Sequence, residues 1–292
     1  MIWPVLERKE IKVFMKALYV VLTLLVIGVG WFVFSFSPTK KKFTSDLDSL
    51  KVTNKLEEDR VFEKSDFVYL PIPIQKYVEE CGYIGTSQMS YMCMEYKDVD
   101  FIQGRKGPSL TIDYTQYNFV AQPARNALIQ SSMFGIPFEG YDSYYDGAGG
   151  MKGVIARYFT LFNQTGTDMD KACLATFLAE CMFEPSVLLQ DYISFEEIDD
   201  YHVSATISYG GQTASGVFTF NENYEYTHFT TNDRAVTNSD GTVEYIPWTA
   251  ACSDYHLSDN GIKYPSKFSA IWNYPDEDFV YFDGVISKVS YD

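Results

Sequence analysis

A chain of 292 residues, 46% apolar and 17% aromatic, is too greasy to be disordered and long enough to bury a sizeable core. Its net charge of −16 is unevenly spread: residues 43–292 hold 16 basic against 37 acidic side chains, a net −21, while the first 42 are basic. So acidic a domain repels phosphate backbones, which argues against nucleic acid as a partner.

Residues 1–16 read as a short basic tail. From Ala17 to Phe36 the sequence ALYVVLTLLVIGVGWFVFSF carries no charge, and about twenty such residues let a helix cross a bilayer. Trp31, Phe32, Phe34 and Phe36 gather at its distal end and Lys40 to Lys42 follow, as interfacial aromatics and headgroup-level lysines do. The run ends Phe-Ser-Phe-Ser-Pro instead of a small-x-small cleavage site, so it reads as a retained anchor and not a signal peptide. Basic residues are nearly balanced across it, which leaves the orientation open. Residues 37–64 are polar, with a short helical possibility over Leu50 to Phe62, and read as a stalk.

The extramembrane domain is expected over residues 65–292. In YLPIPIQKYVEECGYIG (Tyr69 to Gly85), Pro71 and Pro73 hold the chain extended. Pro73 can also open a helix Ile74 to Glu80, ended by Gly82, with Ile74, Tyr77 and Val78 on the side that should lie on the domain. Period-two patterning then predicts strands at Ser87 to Val99, Leu110 to Phe119, Asn126 to Ile136, Phe138 to Tyr145 and Val154 to Phe162. Asp168 to Met182 reads as a helix with Leu174, Phe177, Leu178 and Cys181 on one face, Thr165 or Thr167 as its cap, and Pro185 as its stop.

After that helix, Gly210-Gly211 turns the strand Val203 to Tyr209 into Val217 to Phe220. Asn221 to Asn223, Asp240-Gly241, Asn260-Gly261 and Asp276 to Asp278 supply later turns of an antiparallel meander. The expected class is α+β: an N-terminal transmembrane helix, then a curved antiparallel, half-barrel-like sheet of about ten strands packed on one main helix. Some strands look apolar on both faces. In the last, Phe279, Tyr281, Val285 and Val289 point one way, and Val280, Phe282 and Ile286 the other.

Sites of chemistry are sparse. DGAGGMKG (Asp146 to Gly153) lacks the Gly-Lys-Ser/Thr ending of a phosphate loop and precedes a β-branched run, so it reads as a glycine-rich hairpin turn. TASGV around Ser215 lacks the first glycine of a nucleophile elbow. His202, His228 and His256 lie far apart, and Cys81, Cys93, Cys173, Cys181 and Cys252 are irregularly spaced. Neither set supports a metal site or a disulfide framework, and no catalytic residue, metal or cofactor is expected. Asp142 and Asp146 share a strand face about 13 Å apart, too far to share a water. With Glu180 they form a candidate polar site; the alternative of a hydrolase or isomerase would use these acids or His256.

The stretches LPIPIQKYVEECG, FVAQ, YDGAGGMKG, LATFLAECMFEPSVLL, FEEIDDYHVSATI, GVFTFNEN, IPWTA, DYHLSDNGIKYPSKFSAIW and GVISKVSYD together resemble an uncharacterised bacterial family of membrane-linked domains, over Tyr69 to Asp292. In outline the chain is also similar to the lipoprotein-carrier superfamily of the LolA and RseB type, where a curved sheet wraps a helix and leaves an apolar concavity for acyl chains. That resemblance implies an extracytoplasmic, non-catalytic domain in the bacterial envelope that binds or senses a lipid or another apolar molecule. Phe119, Phe134, Phe138, Phe218, Phe220 and Trp248 are the expected ligand lining, with Gln122 and Arg234 as polar fixtures. A further alternative is an envelope assembly protein that presents a sheet edge to a partner.

Overall fold

The computed structural model describes residues 8–56, 60–105, 107–237 and 242–292; the expected turn at Asp240-Gly241 and the first seven residues of the basic tail lie outside them. Helix α1 (Arg8–Ser35) contains one stretch, Glu10–Trp31, long and apolar enough to cross a membrane, with mean hydropathy 2.2 and none of that window buried. Only Phe36 and Ser37 separate it from helix α2 (Pro38–Thr53). Ser37 caps α2, its hydroxyl oxygen accepting the Lys40 N–H at 3.0 Å, and Pro38 starts the first turn.

Thr39, Phe43 and Leu47 recur every fourth residue and form the buried side of α2. The expected stalk over residues 37–64 therefore needs correction, because its first half is a helix packed on the sheet. The helical possibility at Leu50 to Phe62 overlaps α2 only over Leu50 to Thr53, and residues 57–59 of it lie outside the described residues. Five lysines and aspartates between Lys40 and Asp48 give this segment a polar composition that hides its single apolar stripe.

Helix α3 (Ile72–Glu80) follows the expected pattern: Pro71 caps it, Pro73 sits in its first turn, and Ile74, Tyr77 and Val78 are buried. The strands are β1 (Tyr91–Ile102), β2 (Ser109–Phe119), β3 (Ala124–Met133), β4 (Ile136–Tyr145), β5 (Ala148–Ile155) and β6 (Phe159–Thr165) before helix α4 (Thr167–Glu180). After α4 come β7 (Ile193–Asp199), β8 (His202–Tyr209), β9 (Gln212–Phe220), β10 (Tyr226–Thr231), β11 (Ala235–Thr237), β12 (Val243–Tyr245), β13 (Trp248–Leu257), β14 (Lys263–Asn273) and β15 (Asp278–Tyr291). Thirteen of them form one open antiparallel sheet in the order β6-β5-β4-β3-β2-β1-β15-β14-β13-β10-β9-β8-β7, while β11 and β12 pair separately. Two meanders are thus joined by one seam, where β1 runs against β15 from Met92↔Tyr291 to Phe101↔Phe282.

The sheet exceeds ten strands partly because the span Val154 to Phe162 is two strands, not one. The chain reverses at Ala156 and Arg157, both at positive φ (49° and 66°) without a glycine to mark it. The glycine-rich stretch is corrected in turn: only Asp146 and Gly147 reverse the chain, and Ala148 to Gly153 belong to β5. Gly149 is needed there for contact, since a Cβ would fall 2.8 Å from Cys173 Sγ on α4.

Helix α4 lies inside the curve of the sheet, against β4, β5 and β6 on one side and β8, β9 and β10 on the other. Gly166, at φ 107°, stands at its N-cap without a side-chain bond, in place of the expected threonine, and Asp168 and Asp170 complement its dipole. A 3₁₀ turn, Cys181–Phe183, extends it, and Pro185 opens another, Pro185–Leu189. The tyrosine excess has a use here. Tyr226, Tyr77 and Tyr291 donate to the carbonyls of Ala179 (3.1 Å), Met182 (2.9 Å) and Phe183 (3.0 Å), groups that a helix end otherwise leaves unpaired. Over α4 the β4–β5 and β8–β9 turns touch: a Cβ on Gly147 would stand 2.6 Å from the Gly210 Cα. Helix α2 covers the opposite, outer face of β2, β3 and β4.

β15 is less apolar on its second face than its sequence suggests. A register shift between Ala270 and Ile271 of β14 turns Val280 out, so Val280 is exposed while Phe282 and Ile286 stay buried; on the other face Val285 is exposed as well.

Candidate functional site

The eight residues expected to line a ligand cavity do not surround one hollow. Phe218 packs its ring on Phe229 (4.7 Å) and Tyr226 (5.4 Å), and Phe220 on Tyr77 (5.9 Å). The Trp248 N–H donates to Tyr281 Oη at 3.1 Å, and the Arg234 guanidinium stacks 4.6 Å from its ring while Arg234 Nε donates to Thr176 at 3.0 Å. These four, with Phe138, belong to the inner face, and the aromatic members are all at most 2% exposed.

Three expected lining residues lie elsewhere. Phe119 is buried on the outer face, in the cluster that Phe43 and Leu47 of α2 complete. Gln122 sits exposed in the β2–β3 turn, its backbone N–H donating to Asn54 Oδ1 at 2.9 Å and its side-chain oxygen accepting from Tyr209 at 3.3 Å. Phe134 is wholly exposed in the β3–β4 turn. Strand alternation tells which residues share a face but not which face a helix covers, and α2 was hidden by its charge.

The expected polar set converges in part. Asp142 on β4 and Glu180 at the end of α4 both meet Arg125 of β3, a residue that the sequence reading did not single out. Arg125 Nη1 donates to Asp142 Oδ2 at 2.5 Å, and Nε donates to Glu180 Oε2 at 3.0 Å. Its Nη2 reaches Glu180 Oε1 (3.3 Å), Gln116 Oε1 (3.4 Å) and the Tyr114 hydroxyl, and Asn118 Nδ2 adds a bond to Glu180 at 2.9 Å. Burial acts to lower the guanidinium pKa, but Glu180, Tyr114 and Asp142 outweigh it and hold Arg125 well above its usual value. Burial likewise pushes the Tyr114 hydroxyl up.

A guanidinium locked in its charged form cannot relay protons, and it engages both carboxylates. The cluster is suited to fastening α4 to β2, β3 and β4, not to acid–base work. Asp146 stands apart in the β4–β5 turn, and His256 is exposed, edge-on to Tyr264 at 4.4 Å. Neither joins the two acids. Among the described residues no three metal-ligating side chains come together, and all five cysteines are buried free thiols. Burial pushes the Cys173 thiol up to about 12.

Glu184, between the two 3₁₀ turns, was also missed. It is 1% exposed and neither carboxyl oxygen has a hydrogen-bond partner within bonding distance. Burial drives its pKa well above the carboxylate range, with the nearby Met92 backbone amide offsetting only part of this and Glu180 adding to it. An arginine in an apolar strand, and a glutamate between Phe183 and Pro185, are the sequence signals that could have marked the pair.

Solved structures similar to this chain include two of low identity. One is a domain from Vibrio parahaemolyticus provisionally named an outer membrane lipoprotein-sorting protein, at 10% identity and TM-score 0.33, covering 70% of this chain and 84% of that one. The other is a DUF1329 family protein from Desulfovibrio piger, at 14% identity and TM-score 0.38, covering 75% and 92%. No curated protein matches the chain. Residues 60–284 match the sequence profile described as a family of unknown function, DUF6544, and the chain belongs to that family.

Proposed function

We propose that the chain is a single-pass membrane protein of the cell envelope whose extramembrane domain is a non-catalytic binding or sensing module for a lipid or another apolar molecule. The observation that carries this reading is the two-residue join between α1 and α2. Two residues span at most about 7 Å, and α2 is fastened to the sheet by Phe43, Leu47 and a Ser37–Glu139 hydrogen bond of 2.5 Å. A span through α1 would therefore hold the sheet directly on the bilayer surface, where apolar ligands are found.

The apolar ligand class is supported by the aromatic inner face, with Arg234 as the polar group beside Trp248 and Trp272. That face is packed shut, so a ligand would enter only if the two arms of the sheet part where Gly147 meets Gly210. The test uses the full chain. It should float with liposomes after alkaline carbonate washing and carry co-purified lipid in native mass spectrometry. Release by carbonate would overturn the anchor, and a lipid-free mass with no uptake of fluorescent fatty acid would overturn the ligand class.

A further inference from the structure

Two neighbouring hairpin tips carry large apolar side chains that the fold leaves bare. Phe134 and Ile136, at the β3–β4 turn, are 101% and 44% exposed; Tyr158, Phe159 and Leu161, at and beyond the β5–β6 turn, are 38%, 68% and 50% exposed. The tips are joined, since Ala156 N–H donates to the Pro137 carbonyl at 2.8 Å. Phe134 is also costly where it stands. It occupies the first position of a two-residue turn at φ 53°, followed by Gly135 at 77°, where asparagine, aspartate or glycine is the usual choice, and it packs against nothing in return.

Their position in the molecule says what covers them. Ser37, two residues beyond α1, donates to Glu139 of β4, and Arg157 of the second tip pairs with the same carboxylate at 3.5 Å. From there α2 runs away from the tips: Phe43 accepts from Asn126 at 3.2 Å, and Asn54, just past its end, accepts from Gln122 at the opposite end of β3. Ile136 lies three residues from Glu139 in the other direction, about 10 Å along the strand. The bare side chains thus project past the start of α2, toward the level at which α1 leaves the bilayer.

Charge agrees. Between Tyr114 and Thr167 there are only three acids, Glu139, Asp142 and Asp146, and the first two are paired with Arg157 and Arg125, in a domain holding 37 acids in residues 43–292. With most of its few acids paired, this arm can approach an anionic headgroup layer with little repulsion.

We propose that the β3–β4 and β5–β6 tips insert Phe134, Ile136, Tyr158, Phe159 and Leu161 into the headgroup region of the bilayer that α1 spans, giving the domain a second membrane contact. This rests on the anchored reading above. Interfacial side chains of this kind reach about 5–10 Å into the headgroup and acyl boundary.

The experiment places single cysteines for an environment-sensitive fluorophore at Phe134→Cys, Phe159→Cys and, as the control at the far end of the sheet, Ala121→Cys. Native thiols are all buried and leave the labelling selective. The full chain is reconstituted in vesicles of phosphatidylcholine and phosphatidylglycerol at about 2:1. Labels at 134 and 159 should emit to the blue of the label at 121, be quenched by headgroup-level nitroxide lipid, and be about threefold or more less accessible to iodide. Iodide access at 134 and 159 equal to that at 121, in chains that resist carbonate extraction, would overturn the tip contact and leave the anchor standing. Chains released by carbonate would overturn both.

Discussion

Replacing Arg125 by methionine tests whether the buried cluster fastens α4 to the sheet. The guanidinium is the shared partner of Asp142 and Glu180, and its side chain is 6% exposed against 5% for Glu180 and 19% for Asp142. With it gone, Glu180 keeps one donor, Asn118, and a buried carboxylate is left without its charge partner. Breaking a buried pair from one side costs about 3–5 kcal/mol. Much of that is the stranded charge, so adding Glu180→Gln to the Arg125→Met chain should restore about 1–3 kcal/mol, the desolvation penalty of an unsatisfied group. The two residues are in contact, and the effects must therefore be far from additive. Urea unfolding of the detergent-solubilised chains, followed by the fluorescence of buried Trp248 and Trp272, measures all four corners of the cycle. An Arg125→Met loss under about 1 kcal/mol, or a double substitution that costs the sum of the singles, would refute the fastening role.

Glu184→Gln should change the pH dependence of stability. Burial raises the folded pKa of Glu184, so its carboxyl folds protonated. Its contribution is fully present below the unfolded pKa and is lost as pH rises toward the folded one, at up to about 1.4 kcal/mol per pH unit. The variant should therefore gain on the wild type as pH rises from 5 to 8 on the order of that slope, and a pH-independent difference in unfolding midpoints would contradict this. Gly210→Ala should cost more than Gly211→Ala by about 1–3 kcal/mol: both residues have positive φ, but only at Gly210 would a Cβ meet the other tip, 2.3 Å from the Gly147 Cα. Equal losses would show that the tips do not bear on each other. Phe43→Ala with Leu47→Ala should cost about 2–5 kcal/mol and expose the α2 amides to hydrogen exchange; α2 protection unchanged from wild type would mean that it is held by something else.

Much of the architecture was legible because local chemistry and tertiary role agree. Pro71, Pro73 and Gly82 bracket α3 whatever it packs against, and Gly210-Gly211, at φ 59° and 79°, turns the β8–β9 hairpin as two glycines between alternating strands should. What stayed hidden breaks a local rule. Ala156-Arg157 and Phe134 turn the chain at positive φ with side chains that ordinarily avoid it, so the β5–β6 reversal was missed and Phe134 was taken for a lining residue. α2 hides three apolar contacts among lysines and aspartates. Asp142 and Glu180 were legible as acids in apolar surroundings, but Arg125, which gives them their role, reaches Asp142 from the neighbouring strand β3 and meets Glu180 at the end of α4, and pairings of that kind leave no periodic trace.

The seam between β1 and β15 sets an order of assembly. Met92 finds its partner Tyr291 roughly two hundred positions downstream, so the first meander must wait with one flank unzipped until almost all of the second has been synthesised and folded back. Such long-range closure is slow, and an unsatisfied strand flank invites pairing with a neighbouring copy. If α1 holds the chain in a bilayer, as proposed, neighbours are confined to two dimensions during that interval, the point at which a folding helper would matter most.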